Sequence, residues 1–544
     1  MTQFLWACAK QGPDSVYSAA DAVYQNGRIY TVDGNRSWAQ AVAIKDGEIV
    51  FVGDDDSVAP FVSDATQVHD LKGRMMLPAF QDSHVHPISS GVQALSCDLE
   101  GLEDIKQYQE KIQACAESQP DDTWILGGGW LMTAFGPGGA PNKGYIDDVV
   151  THHPVYLISA DYHTGWANSR ALELAGVTKD TPDPEGGRID RDPVTGEPIG
   201  SLQETAMALI DNHIGPSSPE AQDAGLRYAQ DLFLSVGITS VQDAWVLPHN
   251  LETYARAQAL GELKIRVTAS LWWERLKGLE QIEEFKQQRE KYTDGLLKAT
   301  TVKIMQDGVM ENYTAALLEP YILAKETKGI SMIKPELLNR AVTQLDAEGF
   351  QVHFHAVGDG AVRQTLDAIE VAQKTNGNSD NRHHISHLQL ISPLDIPRFA
   401  ELNVTANFQP LWAMSDEYIT ELAVPFIGEE RSRWLYPIKS VQDAGGRIAF
   451  GSDWSVDPVN PFPQIETALT RVEAEEHETE VLNAAERIDL ASAIEAFTIN
   501  AAYINKHDDK TGSIEIGKFA DLIVVDRNLF DVEPKELSEV KVLL

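Results

Sequence analysis

Gln81-Asp82-Ser83-His84-Val85-His86-Pro87 decides how this chain is read. It follows the apolar run 75–80, which has the length of a buried strand. In extended chain, residues i and i+2 project to one face, so His84 and His86 can reach a single ion. A lone His-x-His is a weak signal. Its weight depends on what the chain places beside it.

Seven further short apolar runs follow, at 238–242, 265–271, 302–306, 352–356, 384–388, 404–408 and 448–453. Helix-period stretches separate several of them. Residues 335–348 carry Leu337, Leu338, Ala341, Val342 and Leu345 on one stripe, and 361–374 is similar. Eight strands with helical crossovers indicate an α/β fold, a closed parallel (β/α)8 TIM barrel, with a doubly wound open sheet as the alternative. Barrels of this kind assemble their sites at the C-terminal ends of the strands. Lys303, His355, His387 and Asp453 all fall at such ends, level with His84 and His86. Two His-x-His pairs, a further His and an Asp suit a borderline divalent cation, Zn2+ first among them. His353 and His383 share strand faces with His355 and His387 and are read as supporting residues rather than ligands.

Both chain ends have β character. Residues 23–24 and 29–32 flank Gln25-Asn26-Gly27, and 41–44 and 49–52 flank Lys45-Asp46-Gly47, so two tight hairpin turns are expected. Gly512 to Asp526 reads the same way. The expected organisation is a composite β-sandwich domain from 21–75 and 500–544, and a barrel over 76–499 with a subdomain inserted at about 87–237. The insertion carries Trp124-Ile125-Leu126-Gly127-Gly128-Gly129-Trp130 and Val155-Tyr156-Leu157-Ile158-Ser159.

The 82 acidic residues outnumber the 44 basic ones, for a net charge of -38, and no Lys/Arg cluster offers phosphate contacts. Nucleic acid is excluded as a partner on that ground. No run of 18 apolar residues exists, so no transmembrane segment is expected. Three cysteines, Cys8, Cys97 and Cys115, make no disulfide framework, and stability is assigned to packing. Phe4-Leu5-Trp6-Ala7-Cys8 has the form of a lipoprotein cleavage site, with 1–20 as a tether or remnant. Location follows from it: a bacterial periplasmic lipoprotein if the Cys8 site is real, cytoplasmic otherwise.

Asp82-Ser83-His84-Val85-His86, His355-Ala356-Val357-Gly358-Asp359, Gly451-Ser452-Asp453 and the terminal Gly512-Ser513-Ile514-Glu515-Ile516-Gly517-Lys518-Phe519-Ala520-Asp521-Leu522 together resemble the amidohydrolase superfamily. Asp161-Tyr162-His163-Thr164-Gly165-Trp166-Ala167-Asn168-Ser169 is similar to the insertion motif of its YtcJ-like branch, which includes N-substituted formamide deformylases. The resemblance implies His84 and His86 on a first metal shared with Asp453. It also implies His355 and His387 on a second, with Lys303 bridging as an N6-carboxylated lysine; one ion beside an unmodified Lys303 is the alternative. The branch usually continues past Lys541-Val542-Leu543-Leu544 with a further strand, so completeness at that end is left open.

The expected reaction is hydrolysis of an amide-like C–N bond, in an N-acyl or N-formyl amine, by metal-activated hydroxide. Asp453 is the expected proton carrier, and His163 the contact to the developing oxyanion. Trp130, His163, Trp166 and Gln409 are expected to touch a small-molecule substrate, with Trp245 and Trp412 as further candidates for an apolar wall. An esterase, lactonase or carbamate hydrolase on the same site is the nearest rival, and a noncatalytic barrel serving as a binding protein is the rival of another class. No GxSxG elbow, Walker A or GxGxxG motif occurs. A homo-oligomer is left open.

Overall fold

Eight strands form one parallel sheet in chain order: Phe80–Val85, Ile238–Val246, Arg266–Trp272, Leu297–Met305, Gln351–Ala356, His384–His387, Thr405–Phe408 and Ile448–Phe450. This computed structural model describes residues 18–136, 139–474 and 480–544. The last strand returns to the first: Ser83 Oγ donates to Phe450 O at 2.6 Å, and Asp453 N to His84 O at 2.8 Å. Both faces of each strand are covered, which is why the sequence shows continuous apolar runs rather than alternation. Within Gln351–Ala356 the alternation is still chemical. Val352 and Phe354 join the apolar core under the outer helices, while His353 and His355 turn inward. Helix Pro335–Ala347 covers that core with Leu338, Ala341, Val342 and Leu345.

The run 75–80 is two strands rather than one. Met75–Pro78 pairs antiparallel with Leu522–Val525 from the far end of the chain, and parallel with Arg28–Tyr30. The barrel strand begins afterwards, at Phe80. Ala79 N donates to Asp521 O and Phe80 N to Gly237 O, so the chain passes between sheets within two residues. A run buried in either sheet looks the same in sequence, which hid the boundary.

Two four-stranded sheets, one including Leu522–Val525, share a core of Ile29, Val42, Ile49, Leu71, Met76 and Val524. Asp46 and Gly47, at φ 51° and 78°, make the expected hairpin between Ala41–Lys45 and Glu48–Gly53. Asn26-Gly27 does not. Ala22–Gln25 and Arg28–Tyr30 lie in different sheets, so this turn is a corner. Leu543 N donates to Val524 O, which lays the last residues beside Leu522–Val525.

Between the first and second barrel strands lies a six-stranded sheet, ordered Gly187–Arg191, Pro198–Glu204, Thr164–Ala167, Val155–Ser159, Ile125–Trp130 and Cys97–Asp98. Here the cysteine expectation needs correction. Cys97 and Cys115 form a disulfide that joins the edge strand to helix Ile105–Glu117. Spacing alone could not show it, because the strand and helix meet only through the tertiary fold. Cys8 lies outside the described residues. Among them no helix is long and apolar enough to cross a membrane.

Candidate active site

His84 lies in the first barrel strand and His86 just past its end, while Asp453 follows the last strand. Their ligand atoms all lie within 4.8 Å of one another. Asp453 Oδ1 is 2.9 Å from His86 Nε2 and 3.4 Å from His84 Nε2. Ligands about 2.1 Å from a tetrahedral ion sit about 3.4 Å apart, so the spacing fits one divalent cation. His84 is held from behind: its Nδ1 is 2.9 Å from His353 Nε2, whose Nδ1 is 3.1 Å from Ser270 Oγ. That holds the ring in place and leaves Nε2 facing Asp453. Asp82 accepts from His84 N at 3.0 Å and from Ser452 Oγ at 2.5 Å, tying the His-x-His segment to the Asp453 loop. Burial pushes the Asp82 carboxyl up to about 7, against those hydrogen bonds.

The His355 and His387 rings are 4.3 Å apart, and His387 is 4.7 Å from His84. Trp412 stacks on His387 at 5.5 Å. Burial holds His84, His355 and His387 well below the usual imidazole range, so they are neutral, as metal ligands must be. Among the described residues His387 Nδ1 is buried and has no hydrogen-bond partner; Asp453 Oδ2 lies 3.7 Å away. Lys303, paired in register with His353, lines the same cavity. Burial lowers its ammonium to about 7, although Asp453 works the other way. All six expected ligands therefore meet at one rim, and the donor set of neutral imidazoles and carboxylate suits a borderline divalent ion.

A family model described as the amidohydrolase family matches residues 67–544. The chain belongs to the amidohydrolase family. It is 31% identical to Protein LONG AFTER FAR-RED 3 of Arabidopsis thaliana, over 99% of this chain and 92% of that one. It is 29% identical to YtcJ of Bacillus subtilis, covering 95% and 96% of the two chains. With the N-substituted formamide deformylase of Arthrobacter pascens the identity is 27%, over 96% of each. An uncharacterized metal-dependent hydrolase of Pyrococcus furiosus is similar in structure, with a TM-score of 0.73 at 25% identity, over 94% of this chain and 99% of that one. YtcJ and the N-substituted formamide deformylase are the relatives that the motif resemblance named.

In this amidohydrolase His163 reaches the cavity from the insertion, with its ring 5.4 Å from that of His355. Its Nδ1 lies 3.0 Å from Glu204 Oε1. Burial alone would neutralise the ring, but the Glu204 carboxylate outweighs it and raises His163 to about 9. Trp130 and Trp166 do not reach the cavity. Both are fully buried in the insertion's own core, with indole N–H groups donating to Leu157 O and Asn142 O. Gln409 is likewise not a cavity residue; its Oε1 accepts from His387 N at 3.1 Å and steadies that ligand's backbone. Trp245 and Trp412 do line the cavity, and Trp245 stacks on Trp272 at 4.3 Å.

The cavity measures about 200 Å³. Sequence reasoning missed Glu204 and four carboxylates of its wall, Asp161, Glu311, Asp416 and Asp457. They come from the insertion and from segments after the fourth, seventh and eighth strands. No spacing rule joins such positions. The insertion motif around His163 did carry a signal for Asp161, two residues earlier.

Proposed function

We propose that this metal-dependent amidohydrolase cleaves the amide-like C–N bond of an N-acyl or N-formyl amine. The observation that carries the reading is the convergence of His84, His86 and Asp453 beside His355, His387 and Lys303 at one barrel rim. Likeness to a formamide deformylase supports the bond class. His84, His86 and Asp453 would hold one divalent ion, Zn2+ by donor type. A divalent ion there supplies Lewis acidity, lowering the pKa of water and polarising a carbonyl.

The chain's own groups do the rest. The Asp453 carboxylate accepts a proton from the attacking water and delivers it to the departing nitrogen, a step amides need because an amide anion leaves poorly. His163, kept charged by Glu204, donates its Nε2 proton as a hydrogen bond to the oxygen on which charge develops. Lys303, buried and depressed toward neutrality, offers a free amine that can add CO2 with loss of a proton. The resulting carbamate would hold a second ion with His355 and His387. For location, the Cys97–Cys115 bridge supports the exported alternative, because thiols in the cytosol are kept reduced.

Elemental analysis after dialysis tests the first requirement: a chain without bound divalent metal is not this enzyme. Asp453→Asn should cut turnover of a formanilide by about a hundred- to ten-thousand-fold while much of the metal stays bound. Full activity in that loaded variant removes Asp453 from the role. Faster cleavage of an aryl ester than of the formanilide would move the assignment to the esterase reading.

A further inference from the structure

We propose that the amide cleaved here carries a second, positively charged nitrogen, which seats against the carboxylates of Asp161, Glu311, Asp416 and Asp457. The bond that is cut rests on the hydrolase reading above; the recognition of charge stands on the wall itself.

Four segments distant in sequence bring these carboxylates to one cavity. Glu311 accepts from Gln389 Nε2 at 3.2 Å, and Asp416 from Ile419 N at 2.8 Å. Asp161 accepts from His163 N at 3.1 Å and from Ser159 Oγ. Trp412 donates to Asp457. All five of these donors are uncharged groups, and none is a Lys or Arg side chain. His163, whose backbone meets Asp161, gives its side-chain hydrogen bond to Glu204, while its charge is also coupled to Asp161 and Glu311. Among the described residues, Asp161 Oδ2 and Asp457 Oδ2 are buried and have no hydrogen-bond partner. A buried carboxylate oxygen left unmatched is costly, and a partner that pairs with it removes that cost.

In a chain with this many acidic residues, most carboxylates are simply solvated. These are not. Burial raises Glu311 and Asp457 to about 7 and Asp416 to about 6, and the groups push one another further: Asp161 and Asp416 on Glu311, Asp416 on Asp457. The same cavity presents Trp412, Tyr418 and Tyr436, whose ring faces attract cations once water is displaced. A cationic nitrogen answers both features. Hydrolysis then adds water across the C–N bond to give an acid and an amine, and leaves the second nitrogen unchanged.

The test compares two formamides on the metal-loaded full chain. N-formyl-1,4-diaminobutane carries an ammonium where N-pentylformamide carries a methyl group. Its kcat/KM should be higher by about tenfold or more, the scale of one charge-assisted contact. Glu311→Gln and Asp416→Asn should each shrink that ratio, and having two variants covers the failure of either to fold. A ratio near one in the wild type overturns the proposal, as does a ratio kept in both folded variants. Calorimetry separates the two readings. Preferential binding of the diamine derivative without turnover upholds the wall and sinks the hydrolase assignment, whereas equal hydrolysis of both amides sinks the wall alone. Binding of neither overturns the wall as well.

Discussion

Glu204 adopts φ 52° and ψ -125°, a conformation that side chains rarely accept, and its carboxylate is nonetheless fixed. Oε1 accepts from His163 Nδ1 at 3.0 Å and from Thr314 Oγ1 at 2.9 Å, and a Cβ at Gly308 would stand 2.1 Å from it. Glu204 is thus a positioning residue, acting through His163. Glu204→Gln keeps the acceptor but removes the largest of the charges that oppose burial at His163, the others being Asp161 and Glu311. His163 should then lose its proton well below the value of about 9 it holds now. The alkaline limb of kcat/KM should move to lower pH, and kcat at pH 8 should fall by about tenfold or more, with metal content unchanged. An unmoved limb would remove Glu204 from this role. The ligands were legible because each closes a strand, where a residue's place along the chain also fixes its place in space. Glu204 and the acidic wall were not, since loops and an insertion carry them and only the folded chain brings them together.

At the scale of elements, the strands were readable to within a few residues wherever a run belonged to one sheet. The reading failed at 75–80, where one run serves two sheets, and at Trp130 and Trp166, where aromatic residues beside glycines fill the insertion's own core. Helix Pro87–Ala94 crosses Pro219–Ser235 at Gly91 and Gly225. Alanine ordinarily favours a helix over glycine by about 1 kcal/mol. Here a Cβ at Gly91 would meet the Gly225 carbonyl oxygen at 2.1 Å, so the clash wins. Gly91→Ala should destabilise by about 1–3 kcal/mol in urea unfolding. Activity should fall too, because Ser90 Oγ donates to Trp454 O beside Asp453. The disulfide gives a second prediction for the insertion. Closing a loop of 18 residues stabilises by about 3 kcal/mol on the loop-entropy account. Cys97→Ser should lower the urea midpoint accordingly, and the denatured, unreduced wild type should titrate no more than one free thiol of its three cysteines. Three reactive thiols would dismiss the bridge.

The whole molecule carries a net charge of -38, and that field extends beyond any single contact. Its reach depends on salt: the Debye length is about 30 Å at 0.01 M and about 8 Å at 0.15 M. The acidic wall lies inside the cavity, near the barrel rim, so the surface field and the local wall act on an approaching cation with the same sign. Encounter with a charged amide should therefore slow as salt rises, while a neutral amide of the same shape should be nearly indifferent. Between about 0.01 M and 0.3 M salt, kcat/KM for N-formyl-1,4-diaminobutane should drop several-fold, most of it through a higher KM rather than a lower kcat, because steering changes arrival and not chemistry. N-pentylformamide on the same preparation controls for salt effects on the metal site. If both amides lose rate in parallel, the long-range charge plays no part in substrate capture and serves solubility alone.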